Sequence, residues 1–210
     1  MSAAPPMLLD LMRLIAKGET VAAMRMLDFA PDLAMARLEG GASRAEASEW
    51  LLSEIEHYVY AGDTALHVAA AAYAMEIAGR LIELGANVEA RNRRGAAPLH
   101  YAADGVPGAG AWNPVAQART VALLIQSGAD PSAKDMSGVA PLHRAVRTRC
   151  AAAVEALLAG GSDPRQANKA GSTPLQLAGQ TTGRGGSGSV EAKAQQAEIL
   201  RLLARVSETA

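Results

Sequence analysis

The sequence predicts an all-α solenoid of paired antiparallel helices stacked in a row, about five units including the end caps. Three observations carry this. A four-residue helix start recurs as TALH at 64–67, APLH at 97–100, APLH at 140–143 and TPLQ at 173–176, with separations of 33, 43 and 33 residues. A glycine-containing helix end recurs behind it, as ELGANV from Glu83, QSGADP from Gln126 and AGGSDP from Ala159. Of the 210 residues, 50% are hydrophobic but only 3% aromatic. Core volume must therefore come from Ala, Leu, Val and Met, which suits thin helices that bury their stripes only against copies of themselves.

Taken in order, Leu8, Leu11, Met12 and Ile15 form one helical stripe, broken by Gly18, and Val21, Met24 and Leu27 form a second, closed by Pro31. This pair lacks the recurring start and reads as an N-terminal cap. Residues 39–61 are longer than a connection needs. Ser43 and Glu46 have capping-box spacing, and Trp50, Leu51, Ile55 and Val59 predict an extra helix. Trp50, Tyr58 and Tyr60 are three of the chain's seven aromatic residues, and covering the end of the array accounts for them. The expected units are a cap with its extra helix over 1–61 and an array over 62–210, divided into 62–94, 95–137, 138–170 and 171–210.

The third unit is uninterrupted. Pro141 suits a first helical turn, Leu142, Ala145 and Val146 make one stripe, and Val154, Leu157 and Leu158 make the next. Gly160 and Gly161 end that helix. The second unit carries about ten extra residues, 104–114, in the turn between its helices. The fourth carries about twelve, 180–196, in the same place. Thr64 and Thr173 can cap their helices with a hydroxyl, whereas Ala97 and Ala140 cannot.

A period of about 33 with a TPLH helix start resembles the ankyrin-repeat family. The resemblance covers 62–205 well and the N-terminal part weakly. It implies short turn or β-finger connections, motif histidines that tie adjacent repeats together, and a groove lined by the first helices. Its groove positions fall here on Val68, Ala71 and Ala72, on Tyr101, Asp104 and Gly105, on Arg144, Arg147 and Thr148, and on Leu177, Gln180 and Thr181. Trp112 and Asn113 in one insertion and Arg184 in the other are placed to overhang that groove. The candidate binding set is thus Tyr101, Asp104, Trp112, Asn113, Arg144, Arg147, Gln180, Thr181 and Arg184. An Asp104–Arg147 pair would make that arginine structural.

Other chemistry reads weakly. Three of the four histidines sit in the recurring start, where repeats about 10 Å apart keep them from sharing a metal. Cys150 lies beside Arg147 and Arg149 but has no identifiable base, so it reads as a packed thiol. The stretch TGRGGSGS at 182–189 lacks the Lys-Ser/Thr ending of a phosphate loop. No catalytic residue, cofactor or metal is expected. The net charge of −1 favours no nucleic acid. No apolar run reaches the roughly 18 residues a membrane helix needs, and no signal peptide is evident. A single cysteine fits a reducing, cytoplasmic setting. Residues 1–61 are net −4, leaving +3 for the rest.

The expected function is non-catalytic binding of another protein through the groove. The alternative is a small-molecule or anion-binding protein, or an enzyme, that uses 104–114 and 180–196 as walls around Arg147. A scaffold within a larger assembly is the third reading. An enclosed pocket would favour the second, an open groove the first.

Overall fold

The computed structural model describes residues 4–43, 47–110, 112–180 and 189–208. Among the described residues ten α-helices form five antiparallel pairs: α1 (Ala4–Ala16) with α2 (Thr20–Phe29), α3 (Ala65–Ala71) with α4 (Met75–Glu83), α5 (Pro98–Ala102) with α6 (Pro114–Gln126), α7 (Pro141–Thr148) with α8 (Ala151–Ala159), and α9 (Pro174–Ala178) with α10 (Val190–Glu208). The first helices α3, α5, α7 and α9 pack one on the next, and α4, α6, α8 and α10 make a second layer behind them. The core is one continuous seam between the layers. Leu8, Leu11, Met12 and Ile15 begin it, Leu66, Leu99 and Leu142 continue it, and Ile199 and Leu203 end it, all essentially without solvent exposure. Val21 of the second N-terminal stripe instead points outward, at 67% exposure, and Ala23 takes the buried place. No helix among the described residues is long and apolar enough to cross a membrane.

Small polar side chains close the turns between repeats. Asn92 Oδ1 accepts from the backbone N–H of Arg94 and Ala96, Asp135 Oδ1 from Ser137 and Val139, and Asn168 Oδ1 from Ala170 and Ser172, at 2.8–3.1 Å. Short Asx side chains mimic a backbone turn in this way. Each turn then bonds the next: the N–H of Met136 donates to Arg94 O at 2.9 Å and that of Lys169 to Ser137 O at 3.1 Å. Gly138 sits at φ +73°, where a Cβ would stand 2.7 Å from the Lys169 nitrogen, so a side chain there would push successive turns apart.

The motif histidines join the repeats. In His67, His100 and His143, Nδ1 accepts from the backbone N–H at the helix start, at 3.1, 3.2 and 3.2 Å. With Nδ1 accepting, the proton is on Nε2, which donates to Ala96 O, Val139 O and Ser172 O of the following repeat at 3.0–3.1 Å. Gln176 does the first job through Oε1, at 2.9 Å from Thr173 N. Capping therefore comes chiefly from the third helical residue and serves Ala97 and Ala140 as well as the threonines. Thr173 adds the reciprocal bond from Gln176 N at 3.2 Å, whereas the Thr64 hydroxyl turns to the His67 ring at 3.0 Å.

Burial holds all three imidazoles neutral and pushes their pKa values down, that of His100 to about 3. The native state then resists a proton that the unfolded chain accepts near pH 6.5. Their contribution is complete above that pH and is lost as pH falls toward the folded pKa. For His100 alone the loss between pH 7 and pH 5 is about 2 kcal/mol, and His67 and His143 add in the same direction. Urea unfolding at both pH values checks this. His100→Gln, which keeps the Gln176 type of cap, is expected to lose about 2 kcal/mol less on acidification than the parent.

The expected extra helix over Trp50–Val59 is not formed. Residues 47–50 and 53–55 are single 3₁₀ turns, and β1 (Leu51–Leu52) pairs antiparallel with β2 (His57–Tyr58). The N–H of Val59 closes the hairpin on Trp50 O at 3.0 Å. Glu56 turns the chain at φ 50°, ψ 37°, a left-handed conformation no helix can contain. The Glu46 half of the predicted capping box lies outside the described residues.

Candidate functional site

The site is built where the first helices end. The chain leaves α5 into the insertion 104–113, and one buried side chain holds that insertion down. Gln117, on the first turn of α6 and without solvent exposure, donates from Nε2 to Ala102 O at 3.0 Å and Asp104 O at 3.1 Å. Its Oε1 accepts from the Trp112 indole N–H at 3.0 Å. The fourth repeat repeats the device: Gln196 Nε2 donates to Ala178 O at 2.8 Å and Gln180 O at 3.1 Å, on the two matching carbonyls. A glutamine on the first or second turn after each insertion was the sequence signal for this, and sequence reasoning missed it.

Tyr73 completes the anchor. It lies six residues past His67, as Arg149 lies six past His143, and both adopt positive φ, 54° and 61°. Such a conformation is uncommon for a bulky residue and costs on the order of 1–3 kcal/mol. The tyrosine hydroxyl donates to Asp104 O at 2.6 Å, linking the first repeat to the insertion of the second. Burial raises its pKa, so it stays a donor. Gly105 passes beneath: a Cβ there would stand 2.7 Å from Tyr73 Oη and 2.8 Å from Cys150 Sγ.

The hairpin 51–58 stands opposite the insertion, and a pocket of about 350 Å³ opens between them. Its walls are the ends of α3 and α7, with Tyr73, Trp112, Tyr101 and His57 as ring surfaces and Glu54, Glu56 and Arg147 as charges. The polar ends of Tyr73, Trp112 and Tyr101 are turned into the scaffold. Tyr101 hydroxyl donates to buried Asp63, 2.8 and 3.0 Å from its two oxygens, and its ring centroid lies 4.3 Å from that of His57. Burial, then Asp63, raises the Tyr101 pKa, and burial lowers that of half-buried His57.

Tyr101, Asp104, Trp112 and Arg147 of the predicted set thus line one pocket, while the others have different places. Asn113 is the N-cap of α6, accepting from Ala116 N at 3.0 Å, and is not among the residues lining the pocket. Arg144 is engaged within the scaffold: Nη1 donates to Asp104 at 2.9 Å and Nη2 to Asp135 at 3.2 Å, with the side chain only 12% exposed. Asp104 thus pairs with Arg144 rather than with Arg147. Tyr101 is 2% exposed, more wall than contact. Gln180 joins Arg147, Arg149 and Leu177 around a second hollow of about 60 Å³. Thr181 and Arg184 lie outside the described residues. Cys150 is fully buried, and burial pushes its thiol up to about 11, so it packs as a protonated side chain. Glu54 and Glu56 were not anticipated, because they were read as part of a helix.

A family model described as ankyrin repeat matches residues 61–93 and 94–136, and one described as ankyrin repeats in many copies matches 124–178. Together they run over more than half of the chain. No curated protein matches the chain at a significant level.

Proposed function

The chain belongs to the ankyrin-repeat family, and from that premise we propose that it is a non-catalytic module binding another protein across the face of α3, α5 and α7. The observation that carries the reading is that the hollow between the hairpin 51–58 and the insertion after α5 is not enclosed but half-open to the surface, with Arg147 exposed at its edge. A surface pre-organised by Gln117 and Tyr73 needs little ordering on association, which favours affinity. Several polar groups around the pocket serve the scaffold. Asp104 holds Arg144, the Tyr73 and Tyr101 hydroxyls donate into the scaffold, and the Cys150 thiol is protonated.

Arg147→Ala tests the reading. The side chain is exposed, and exposed charges contribute about 0–1 kcal/mol to stability. The thermal midpoint is expected to hold while capture of the partner falls at least tenfold. Arg119→Ala on α6 and Glu155→Ala on α8, both exposed on the opposite layer, are the controls. Capture lost with the controls and kept with Arg147→Ala would move the interaction to the other layer. Intact capture with a lowered midpoint would assign Arg147 to the scaffold.

A further inference from the structure

Resting on that reading, we propose that the pocket between the hairpin and the insertion is a subsite for an arginine side chain of the partner protein. Charge comes first. Glu54 and Glu56 stand on the pocket wall, both exposed, and among the described residues neither forms an ion pair. The third carboxylate of the lining, Asp104, already holds Arg144. Two carboxylates therefore face one cationic lining group, Arg147, and a cation entering between hairpin and insertion gains their field in a partly desolvated setting. The hairpin comes from the part of the chain that is net −4.

The rings come second. Tyr73, Trp112 and Tyr101 have their polar atoms satisfied by the scaffold, the His57 ring lies tilted against that of Tyr101, and all four line the cavity. A planar guanidinium stacks on such surfaces and still offers five N–H donors to carboxylates at the rim, which a compact ammonium does less well. Size comes third. At about 350 Å³ the pocket is at the small end of the roughly 300–1,000 Å³ typical of whole ligands, a fit for one long side chain anchored from an adjacent surface. Arginine is also among the residues that dominate interface energetics. Arg147, which lines both this pocket and the smaller hollow beside it, then meets the acidic or carbonyl groups flanking the partner's arginine.

The backbone positions the site. Glu56 and Tyr73 both hold positive φ, and both line the pocket from opposite sides. Strained backbone of this kind persists where the surrounding structure over-determines it.

Titration of the ¹⁵N-labelled full chain with N-acetyl-arginine methylamide tests the proposal, with the lysine and glutamate analogues as arms. The chain has two tryptophans, so the Trp112 indole N–H is one of two such resonances and the Trp50 signal serves as an internal reference. The arginine analogue is expected to shift the Trp112 indole and the backbone amides of 53–57, the lysine analogue more weakly, and the glutamate analogue not at all. Glu54→Gln with Glu56→Gln should weaken the arginine response about tenfold without moving the thermal midpoint, since both side chains are exposed. Arg147→Ala should leave that response unchanged or strengthen it. Equal shifts with all three analogues, a response to glutamate alone, or none at tens of millimolar would each overturn the subsite. The interaction face is judged separately. If the double glutamine variant keeps a partner that Arg147→Ala loses, the subsite fails and the face stands. If both variants keep the partner, the face fails.

Discussion

Arg144→Ala is expected to lower the unfolding free energy by about 3–5 kcal/mol, the range seen when one member of a buried ion pair is removed. Two carboxylates depend on this guanidinium. Asp104 is 24% exposed and Asp135 10%, and both lie within 3.2 Å of an Arg144 nitrogen. Burial opposes the charge on Arg144, yet the two aspartates win, and its pKa rises. The same aspartates tie different parts of the chain. Asp135 organises the turn before α7, and Asp104 begins the insertion after α5. Removing the arginine leaves both carboxylates short of a partner and loosens the insertion from the third repeat. Urea unfolding of Arg144→Ala beside Arg147→Ala separates the two roles, because only the first should move the midpoint. A loss below about 1 kcal/mol would mean that the network is screened as a surface pair is.

The repeat frame was legible because it is periodic. Helix starts, helix ends and the Leu142-type core positions follow from spacing, and the structure places them where spacing predicts. The insertion was legible too, as a departure from a known period, with its expected end at 114 one residue inside α6. What one position does within that frame was not legible. Tyr101 and Arg144 each follow a motif histidine, and both were read as facing a groove. Each instead reaches back nine residues to the turn-closing Asx side chain, Tyr101 to Asn92 at 2.9 Å and Arg144 to Asp135 at 3.2 Å. The turn folds back over the start of the following helix, so a long polar side chain there meets the turn before it meets solvent. The hairpin failed for a different reason. Its apolar spacing fits a helix as well as a strand pair, and only the left-handed backbone of Glu56 decides between them. Nothing in the residue type forces that conformation, and with it went Glu54 and Glu56, the charged rim of the pocket.

Leu142→Ala is expected to cost about 2–5 kcal/mol, as truncation of a buried leucine does when the cavity only partly collapses. Leu142 has no solvent exposure and sits on α7, which packs against α5, α8 and α9. A repeat array gains most of its stability from contacts between neighbours, so a defect at an internal repeat weakens two interfaces. The two tryptophans make the consequence measurable. Trp50 and Trp112 both precede the third repeat, so fluorescence reports the N-terminal side of the defect while circular dichroism reports helices on both sides. In the parent chain the two urea transitions should coincide, as they do for a cooperative domain. In Leu142→Ala both midpoints should fall. If the coupling through α5 and α7 holds, they should fall together. Should the dichroism transition split and its later phase keep the parent fluorescence midpoint, the first two repeats would be stable without the third. The Arg144 bridge between them would then be too weak to join the halves into one folding unit.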